Sequence, residues 1–102
     1  MIPEDKLLRL LGLARRAGKI SYGSEGVIND IKKHKTKLII FSDDISERTK
    51  NEILKAACNS KKIDILQMQV SKEVLGAAVG TKPTVTLSLN DSNFKKGILE
   101  VK

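Results

Sequence analysis

The sequence predicts an α/β fold, a three-layer α/β/α sandwich with a small mixed sheet of about four strands. Two observations predict this class. Extended apolar segments alternate with amphipathic helical segments, and the boundaries between them fall at glycine, proline or a serine suited to cap a helix. The 102 residues, 40% of them hydrophobic, are enough for a core. No linker or repeat interrupts the pattern, so we expect residues 1–102 to form a single domain.

The first predicted helix covers residues 4–17, because four apolar residues recur on one face at helical spacing: Leu7, Leu8, Leu11 and Ala14. Pro3 suits the start of this helix and Gly18 suits its C-terminal cap. A short extended segment, residues 19–22, follows the cap.

Serines mark the starts of the next two helices. Ser24 is placed to cap a helix whose inward stripe comprises Val27, Ile28 and Ile31. Ser46 starts a helix whose apolar face comprises Ile53, Leu54, Ala57 and Cys58. We therefore expect Cys58 to be a small core residue. Between these helices, residues 37–42 (KLIIFS) predict a strand that is buried on both faces.

The second half of the chain repeats this alternation. Residues 62–68 predict a strand, and Ser71 is suited to cap a short helix over residues 72–79 that ends at Gly80. Pro83 opens a last strand in which Val85, Leu87 and Leu89 alternate with hydroxyl residues, the pattern of a half-covered strand. Residues 90–101 supply a closing helix, with three residues directed to the core: Phe94, Ile98 and Leu99.

The net charge of +7 and the isoelectric point near 9.7 favour a polyanionic partner, since a basic surface attracts nucleic acid and releases counterions. The positive charge is concentrated between Lys6 and Lys37, which indicates a docking face. For Lys32, Lys33 and Lys35 an alternative stays open, because lysines near a helix C-terminus also stabilise the helix itself.

One strand-to-helix connection stands out among the predicted ones. The segment YGSEGV, residues 22–27, has glycines on both sides of a serine at a helix start. Amide groups exposed there form a site for an anion such as phosphate. The alternative is that Gly23 only turns the chain and that Gly26 is needed for packing.

The sequence offers no catalytic group, metal site or cofactor site. Its one histidine, His34, lies in the lysine-rich helix end and cannot be paired with Cys58 on an apolar face. Asp43 and Asp44 either solvate a loop or favour a helix N-terminus. We therefore expect no small-molecule substrate.

The chain start and the cysteine content predict the compartment. The first residues carry Glu4 and Asp5 where a secretory signal would be positive, and no apolar run approaches the roughly 20 residues that cross a bilayer. A single cysteine forms no internal disulfide. We expect a cytoplasmic protein without a membrane partner.

Two motifs carry a family resemblance. Residues 18–27 have the pattern G-K-I-x-x-G-x-x-x-V, and residues 70–80 (VSKEVLGAAVG) place serine, lysine, leucine and glycine on a helix with a small-residue ending. With the order of the elements, they resemble the superfamily of L7Ae-type ribosomal proteins that bind RNA kink-turns. The segments LLGLARRAGKISYG and KLIIFSDDIS are most similar to its bacterial YlxQ-like members.

The resemblance implies a non-enzymatic RNA-binding domain over residues 1–102. Its partners would be structured RNA, above all ribosomal RNA, and the ribosome or ribosomal proteins. By position, it implies a first RNA contact at Gly23, Ser24, Glu25 and Gly26, with Lys19 nearby, and a second contact at Gly80, Thr81 and Lys82. The basic face adds Lys32 and Lys33 to the predicted contacts, and Tyr22 is a candidate for stacking on a base.

The first contact departs from the family pattern. Kink-turn binders commonly have glycine, threonine, asparagine and glutamate there, after a lysine, whereas this chain has Gly-Ser-Glu-Gly after Tyr22. The carboxylate of Glu25 either accepts hydrogen bonds from a guanine or repels the RNA backbone. In the second case the chain would be a protein-interaction module that has lost kink-turn binding. Tyr22 either stacks on an exposed base or is partly buried beside the sheet.

Overall fold

The computed structural model describes residues 3–58 and 63–101. Lys62, the first residue of the strand predicted over residues 62–68, lies outside the described residues. The described chain contains five helices and four strands in the predicted order. Their bounds are α1 Pro3–Arg16, β1 Ile20–Tyr22, α2 Ser24–Lys32, β2 Leu38–Phe41, α3 Glu47–Ala57, β3 Asp64–Gln67, α4 Lys72–Ala78, β4 Thr86–Leu89 and α5 Ser92–Val101.

The strands form one mixed sheet in the order β1-β4-β2-β3. Strand β2 pairs in parallel with β3, while β4 pairs antiparallel with both β1 and β2. Leu89 at the end of β4 lies between Ile20 and Leu38, so the two edges of β4 are both occupied. The sheet confirms the predicted mixed, four-stranded architecture.

Helices cover both faces of the sheet because side chains alternate along each strand. Leu38 and Ile40 pack into a cluster with α1, α4 and α5, whereas Ile39 and Phe41 pack into a second cluster with α2 and α3. All four residues of β2 are fully buried, as its continuous apolar sequence predicts. The result is the predicted α/β/α sandwich.

Strand β4 is not half-covered as its alternating sequence predicted. Thr86 and Ser88 are 0% exposed, because β4 is a central strand and α2 covers its hydroxyl face. The hydroxyl of Ser88 shares a hydrogen bond of 2.9 Å with Thr36 and donates to Asn90 at 2.7 Å. The alternation of apolar and hydroxyl side chains in β4 therefore distinguishes two buried faces, one apolar and one polar.

The placement of Cys58 in the core was also wrong. Helix α3 ends at Ala57, and Cys58 is its C-terminal cap with an exposed side chain. The predicted apolar face is otherwise present, with Ile53 buried and Leu54 packed against the same cluster. A helix that ends one residue earlier turns its last predicted core position toward solvent.

Most helix boundaries occur at the residues that predict them. Gly18 and Gly80 have positive φ of 75° and 71° and end α1 and α4, and their amides donate three residues back, to Arg15 and Ala77. The hydroxyls of Ser46 and Ser71 accept hydrogen bonds from amides three residues later, each at 3.2 Å. No helix within residues 3–58 and 63–101 combines the length and hydrophobicity needed to cross a bilayer.

Gly76 permits the segment after α4 to pass directly over that helix. A Cβ atom at position 76 would collide with the backbone carbonyl of Lys82 and lie 3.0 Å from the Cα of Pro83. The amide of Thr81 also donates to the carbonyl of Gly76 at 2.9 Å. The path of residues 80–84 therefore requires a glycine at position 76.

Replacing Gly76 with alanine should lower the free energy of unfolding by about 1 to 3 kcal/mol, because the backbone of Lys82 must move. The matched control is Gly97→Ala in α5, where no atom lies within 4 Å of the new Cβ. That change should raise stability by up to about 1 kcal/mol through helix propensity. Urea denaturation of both variants measures the difference, and equal stability of the Gly76 variant and the parent would contradict this account.

Candidate functional site

The N-cap of α2 is Gly23, not Ser24 as predicted. Gly23 is the N-cap with φ 81° and ψ 154°, and no side chain caps the helix. Ser24 is the first helical residue. Strand β1 continues to Tyr22, so one residue must turn the chain into the helix, and only glycine adopts that backbone conformation without strain.

The missing cap leaves amide groups free at the start of α2. The carbonyl of Gly23 accepts the amide of Val27 at 3.0 Å, which begins the helical hydrogen-bond ladder. Within the described chain, the amides of Ser24, Glu25 and Gly26 have no hydrogen-bond acceptor. These three donors lie at the positive end of the helix dipole and form a group suited to an anion.

Gly26 is not required for packing. A Cβ atom there would lie 3.7 Å from the Cβ of Ser21, an ordinary van der Waals contact, and its φ is not positive. The packing explanation for Gly26 is therefore not supported. The position lies beside the exposed Glu25 in the first turn of α2, and a Cβ atom there would meet only this ordinary contact.

The buried residue Thr84 joins the start of α2 to the segment after α4. The amide of Gly23 donates to the Oγ1 of Thr84 at 3.1 Å and to the carbonyl of Thr86 at 3.2 Å. The Thr84 hydroxyl donates in turn to the same Thr86 carbonyl at 2.9 Å, and the Thr84 amide donates to Lys72 at 3.1 Å. Thr84 is 5% exposed and is fixed from both sides.

Thr84 was not among the candidate residues predicted from the sequence. The alternation in residues 84–89 placed it on a face predicted to be solvated, which hid its role. The structure shows a hydroxyl that accepts one hydrogen bond and donates another, both to backbone groups. Thr84 therefore positions the loop without being exposed.

One hydrogen bond links the two predicted contact segments through Thr84. Thr84 follows Lys82 by two residues and accepts the amide of Gly23, which precedes the first turn of α2. Gly80 and Lys82 are exposed and Thr81 is half-buried. We call residues 22–26 together with residues 80–82 the glycine edge.

Tyr22 lies on the glycine edge with an accessible ring. Its exposed fraction is 45%, and the guanidinium of Arg15 lies over the ring at 5.4 Å from the centroid. This is a cation–π distance, so Arg15 stabilises the ring in place. The side chain is thus partly buried, as one of the two predicted alternatives has it, while nearly half of it stays accessible for stacking.

The structure does not bring Lys19, Lys32 and Lys33 to the glycine edge. Lys19 precedes β1 whereas Gly23 follows it, a separation of about 13 Å along an extended strand. Lys32 and Lys33 lie at the C-terminal end of α2, about 12 Å from its first turn. Lys19 thus lies at the opposite end of β1 from the glycine loop. We call Lys19, Lys32, Lys33, Lys35 and Lys37 the lysine end.

Asp43 and Asp44 follow β2, and Asp44 has a structural role. The carboxylate of Asp44 accepts a hydrogen bond from the Ser42 hydroxyl at 2.7 Å and from the amide of Lys72 at 3.1 and 3.3 Å. The Ser42 hydrogen bond, followed by the Lys72 amide, lowers the pKa of Asp44 below its ordinary value. Asp44 thus stabilises the N-terminus of α4. The described residues hold no group of three or more acids, histidines or cysteines that could bind a metal ion.

Comparisons with known proteins agree with this architecture. The family model of the ribosomal protein L7Ae/L30e/S12e/Gadd45 family matches residues 5–99. The chain is 30% identical over 92 residues to the RNA-binding protein YlxQ of Bacillus subtilis (strain 168), covering 90% of each sequence. It is 32% identical to the large ribosomal subunit protein eL8 of Thermoplasma volcanium over 92 residues, covering 87% of this chain and 75% of that protein.

Two solved structures have the same fold. A protein of unknown function from Bacillus halodurans C superposes with a TM-score of 0.83 at 30% identity, covering 94% of this chain and 95% of its own. The 15.5kD RNA binding protein of Giardia lamblia superposes with a TM-score of 0.76 at 18% identity, covering 97% and 83%. The second likeness concerns the fold alone.

Replacing Thr84 with valine should lower the free energy of unfolding by about 1 to 3 kcal/mol, because a buried acceptor and donor are removed together. The matched control is Thr81→Val, since the Thr81 hydroxyl makes no hydrogen bond with a described residue. Thermal and urea unfolding measure both variants. A Thr84 variant as stable as the Thr81 variant would mean that the hydroxyl does not fix the glycine edge.

Proposed function

The chain belongs to the ribosomal protein L7Ae/L30e/S12e/Gadd45 family, and on this premise we propose that it is a non-enzymatic, ribosomal or ribosome-associated RNA-binding protein. Relatives with about 30% identity are named as an RNA-binding protein and as a protein of the large ribosomal subunit. The proposed partners are structured RNA, in the first place ribosomal RNA, and neighbouring ribosomal proteins in the cytoplasm. Residues 1–102 act as one RNA-binding domain.

The free amides at the start of α2 are the observation that carries this proposal. Three consecutive N–H groups at this helix start have no acceptor, and the hydrogen bond from Gly23 to Thr84 links the helix start to the chain that follows residues 80–82. Phosphate oxygens of a sharply bent RNA accept such donors well, because the helix dipole adds to the hydrogen bonds. We assign kink-turn-like RNA to the glycine edge on this basis.

The side chains of the glycine edge determine what else the RNA meets. Ser24 offers a hydroxyl, and the exposed carboxylate of Glu25 accepts two hydrogen bonds from the donor edge of a guanine. Gly26 leaves room for the RNA to approach the backbone. The accessible ring of Tyr22 supports stacking on an unpaired base, worth about 1 to 3 kcal/mol.

Glu25 also supports a second candidate function. Its carboxylate repels phosphate groups that approach the same turn of α2, and this first turn contains no amide side chain. A protein-interaction module with this fold and without kink-turn binding would have these properties. The two candidates differ in whether the natural chain binds a kink-turn.

Replacing Gly23 with alanine should weaken binding of a kink-turn RNA by about tenfold, because strain in a backbone region that only glycine adopts readily, about 1 to 3 kcal/mol, displaces the free amides. The control is Gly18→Ala, which also places a side chain at a positive φ, of 75°, but outside the glycine edge. Fluorescence anisotropy with a labelled kink-turn RNA measures both affinities. Equal losses in the two variants would refute the site.

The double variant Glu25→Asn with Gly26→Glu separates the two candidate functions. It restores the residues common in kink-turn binders, keeps the net charge unchanged, and introduces a side chain whose Cβ atom meets only an ordinary contact with Ser21. If the chain is an RNA binder, the parent already binds the kink-turn and the variant changes affinity by no more than about tenfold. Binding that appears only in the variant would favour the interaction module.

A further inference from the structure

We propose that the lysine end is a second RNA-contacting surface, which binds the phosphate backbone of an RNA segment other than the one at the glycine edge. The proposal extends the proposed function, because it makes the protein a bridge between two segments of folded RNA. It follows from the positions that the sheet and α2 give to five lysines. It also follows from the hydrogen bonds and the ion pair that the nearby carboxylates already make within the chain.

The end of β4 brings Lys19 and Lys37 to either side of one strand. The amide of Lys37 donates to the carbonyl of Leu89 at 2.8 Å, and the amide of Asn90 donates to the carbonyl of Lys19 at 2.9 Å. Because β4 lies between β1 and β2, two strand spacings, about 10 Å, separate the two lysine backbones. The sheet thus fixes the base of both side chains.

The turn after α2 adds three more lysines to the same end. The amide of Lys35 donates to the carbonyl of Asp30 at 3.0 Å, and His34 turns the backbone with a φ of 60°. The hydroxyl of Thr36, in the same turn, shares a buried hydrogen bond with Ser88 of β4. Lys32, Lys33 and Lys35 are exposed on this anchored backbone.

Acids near the lysine end are already engaged. Asp30 is 7% exposed and accepts a hydrogen bond from the Asn90 amide group at 2.8 Å. Asp64 pairs with Lys95 at 3.0 Å, and Asp91 accepts the amides of Asn93 and Phe94 at the start of α5. No lysine of the lysine end forms an ion pair within the described chain. Its positive charge remains available to an external anion.

The chemistry of this surface favours RNA phosphate over an acidic protein. Protein interfaces have an apolar centre, and none of the exposed large hydrophobic residues of the described chain belongs to the lysine end: Leu13, Tyr22, Ile65 and Val74. Lysine ammonium groups contact phosphates as point charges and carry no base information. We therefore expect binding to duplex RNA without sequence preference.

The geometry also separates the two surfaces. Strand β1 begins at the lysine end and finishes at the glycine edge, and α2 runs from the glycine edge back to the lysine end. The surfaces face opposite directions along these elements. A short kink-turn RNA on one surface leaves the other surface free.

The test uses a triple variant, Lys32→Glu, Lys33→Glu and Lys35→Glu, and a control with the same change in charge on exposed residues of α1 and α3: Lys6→Glu, Arg9→Glu and Lys55→Glu. Binding of a labelled 12-base-pair RNA duplex without a kink-turn is titrated with salt. The lysine-end variant should lose at least about tenfold in affinity, and its salt slope should fall by about 2. The control should lose less than about threefold.

A bridging experiment completes the test. A short kink-turn RNA is immobilised, protein is added, and retention of the labelled duplex is measured. The parent and the control should retain the duplex, whereas the lysine-end variant should bind the immobilised RNA and lose the duplex. A second variant with glutamine at the same three lysines shows whether any loss follows charge or unfolding, which circular dichroism also reports.

The outcomes separate the two proposals. Equal duplex affinity of the lysine-end variant and the control overturns the second surface, whatever happens at the kink-turn. Duplex binding that depends on the lysines while the kink-turn RNA is not bound leaves the second surface standing and refutes the glycine edge. Stronger binding of polyglutamate than of the duplex at equal charge would assign the surface to an acidic protein and overturn the proposal.

Discussion

The hydrogen bonds of a single amide, that of Gly23, organise the candidate site. This group donates to the hydroxyl of Thr84 and to the carbonyl of Thr86, so the end of β1, the segment after α4 and the start of β4 are joined at one point. The positive φ of Gly23 then turns the chain into α2 without a capping side chain. The next three amides have no acceptor within the helix, and because the cap is a glycine, no side chain there accepts a hydrogen bond from one of them. A buried threonine and a glycine together create the exposed donors.

The sheet gives the molecule two chemically different ends. Where β1 ends and α2 begins, the surface presents neutral amide donors, a tyrosine ring and glycines. Where β1 begins and α2 ends, it presents lysines around the last residue of β4. The central strand β4 connects them, since α2 covers its hydroxyl face and Ser88 is hydrogen-bonded to Thr36 in the turn after α2. The topology thus places directional hydrogen-bond donors at the glycine edge and the long-range electrostatic attraction at the lysine end.

Sequence patterns predicted the order of all elements, because most boundaries are marked by residues with one dominant local role, such as Gly18, Ser46 and Gly80. They failed where the answer depends on non-local pairing. Whether β4 is central or at an edge decides the burial of Thr86, and no local pattern contains that information. The exposure of Cys58 depended on a helix ending one residue earlier than its apolar stripe. The family resemblance indicated the segments of the glycine edge. It did not indicate the role of Thr84, because the hydrogen bond from Gly23 joins residues that are distant in the sequence.

The tolerance of Gly26 for a side chain separates target preference from folding. A side chain added there meets only ordinary contact with Ser21, so it alters what the first turn of α2 presents while the scaffold stays intact. At Gly23 or Gly76, by contrast, any side chain disturbs the backbone. Substitutions at position 26 can therefore change which ligand is bound during evolution, without compensating substitutions elsewhere. Divergence among paralogues is then expected to concentrate at position 26, while positions 23 and 76 stay glycine.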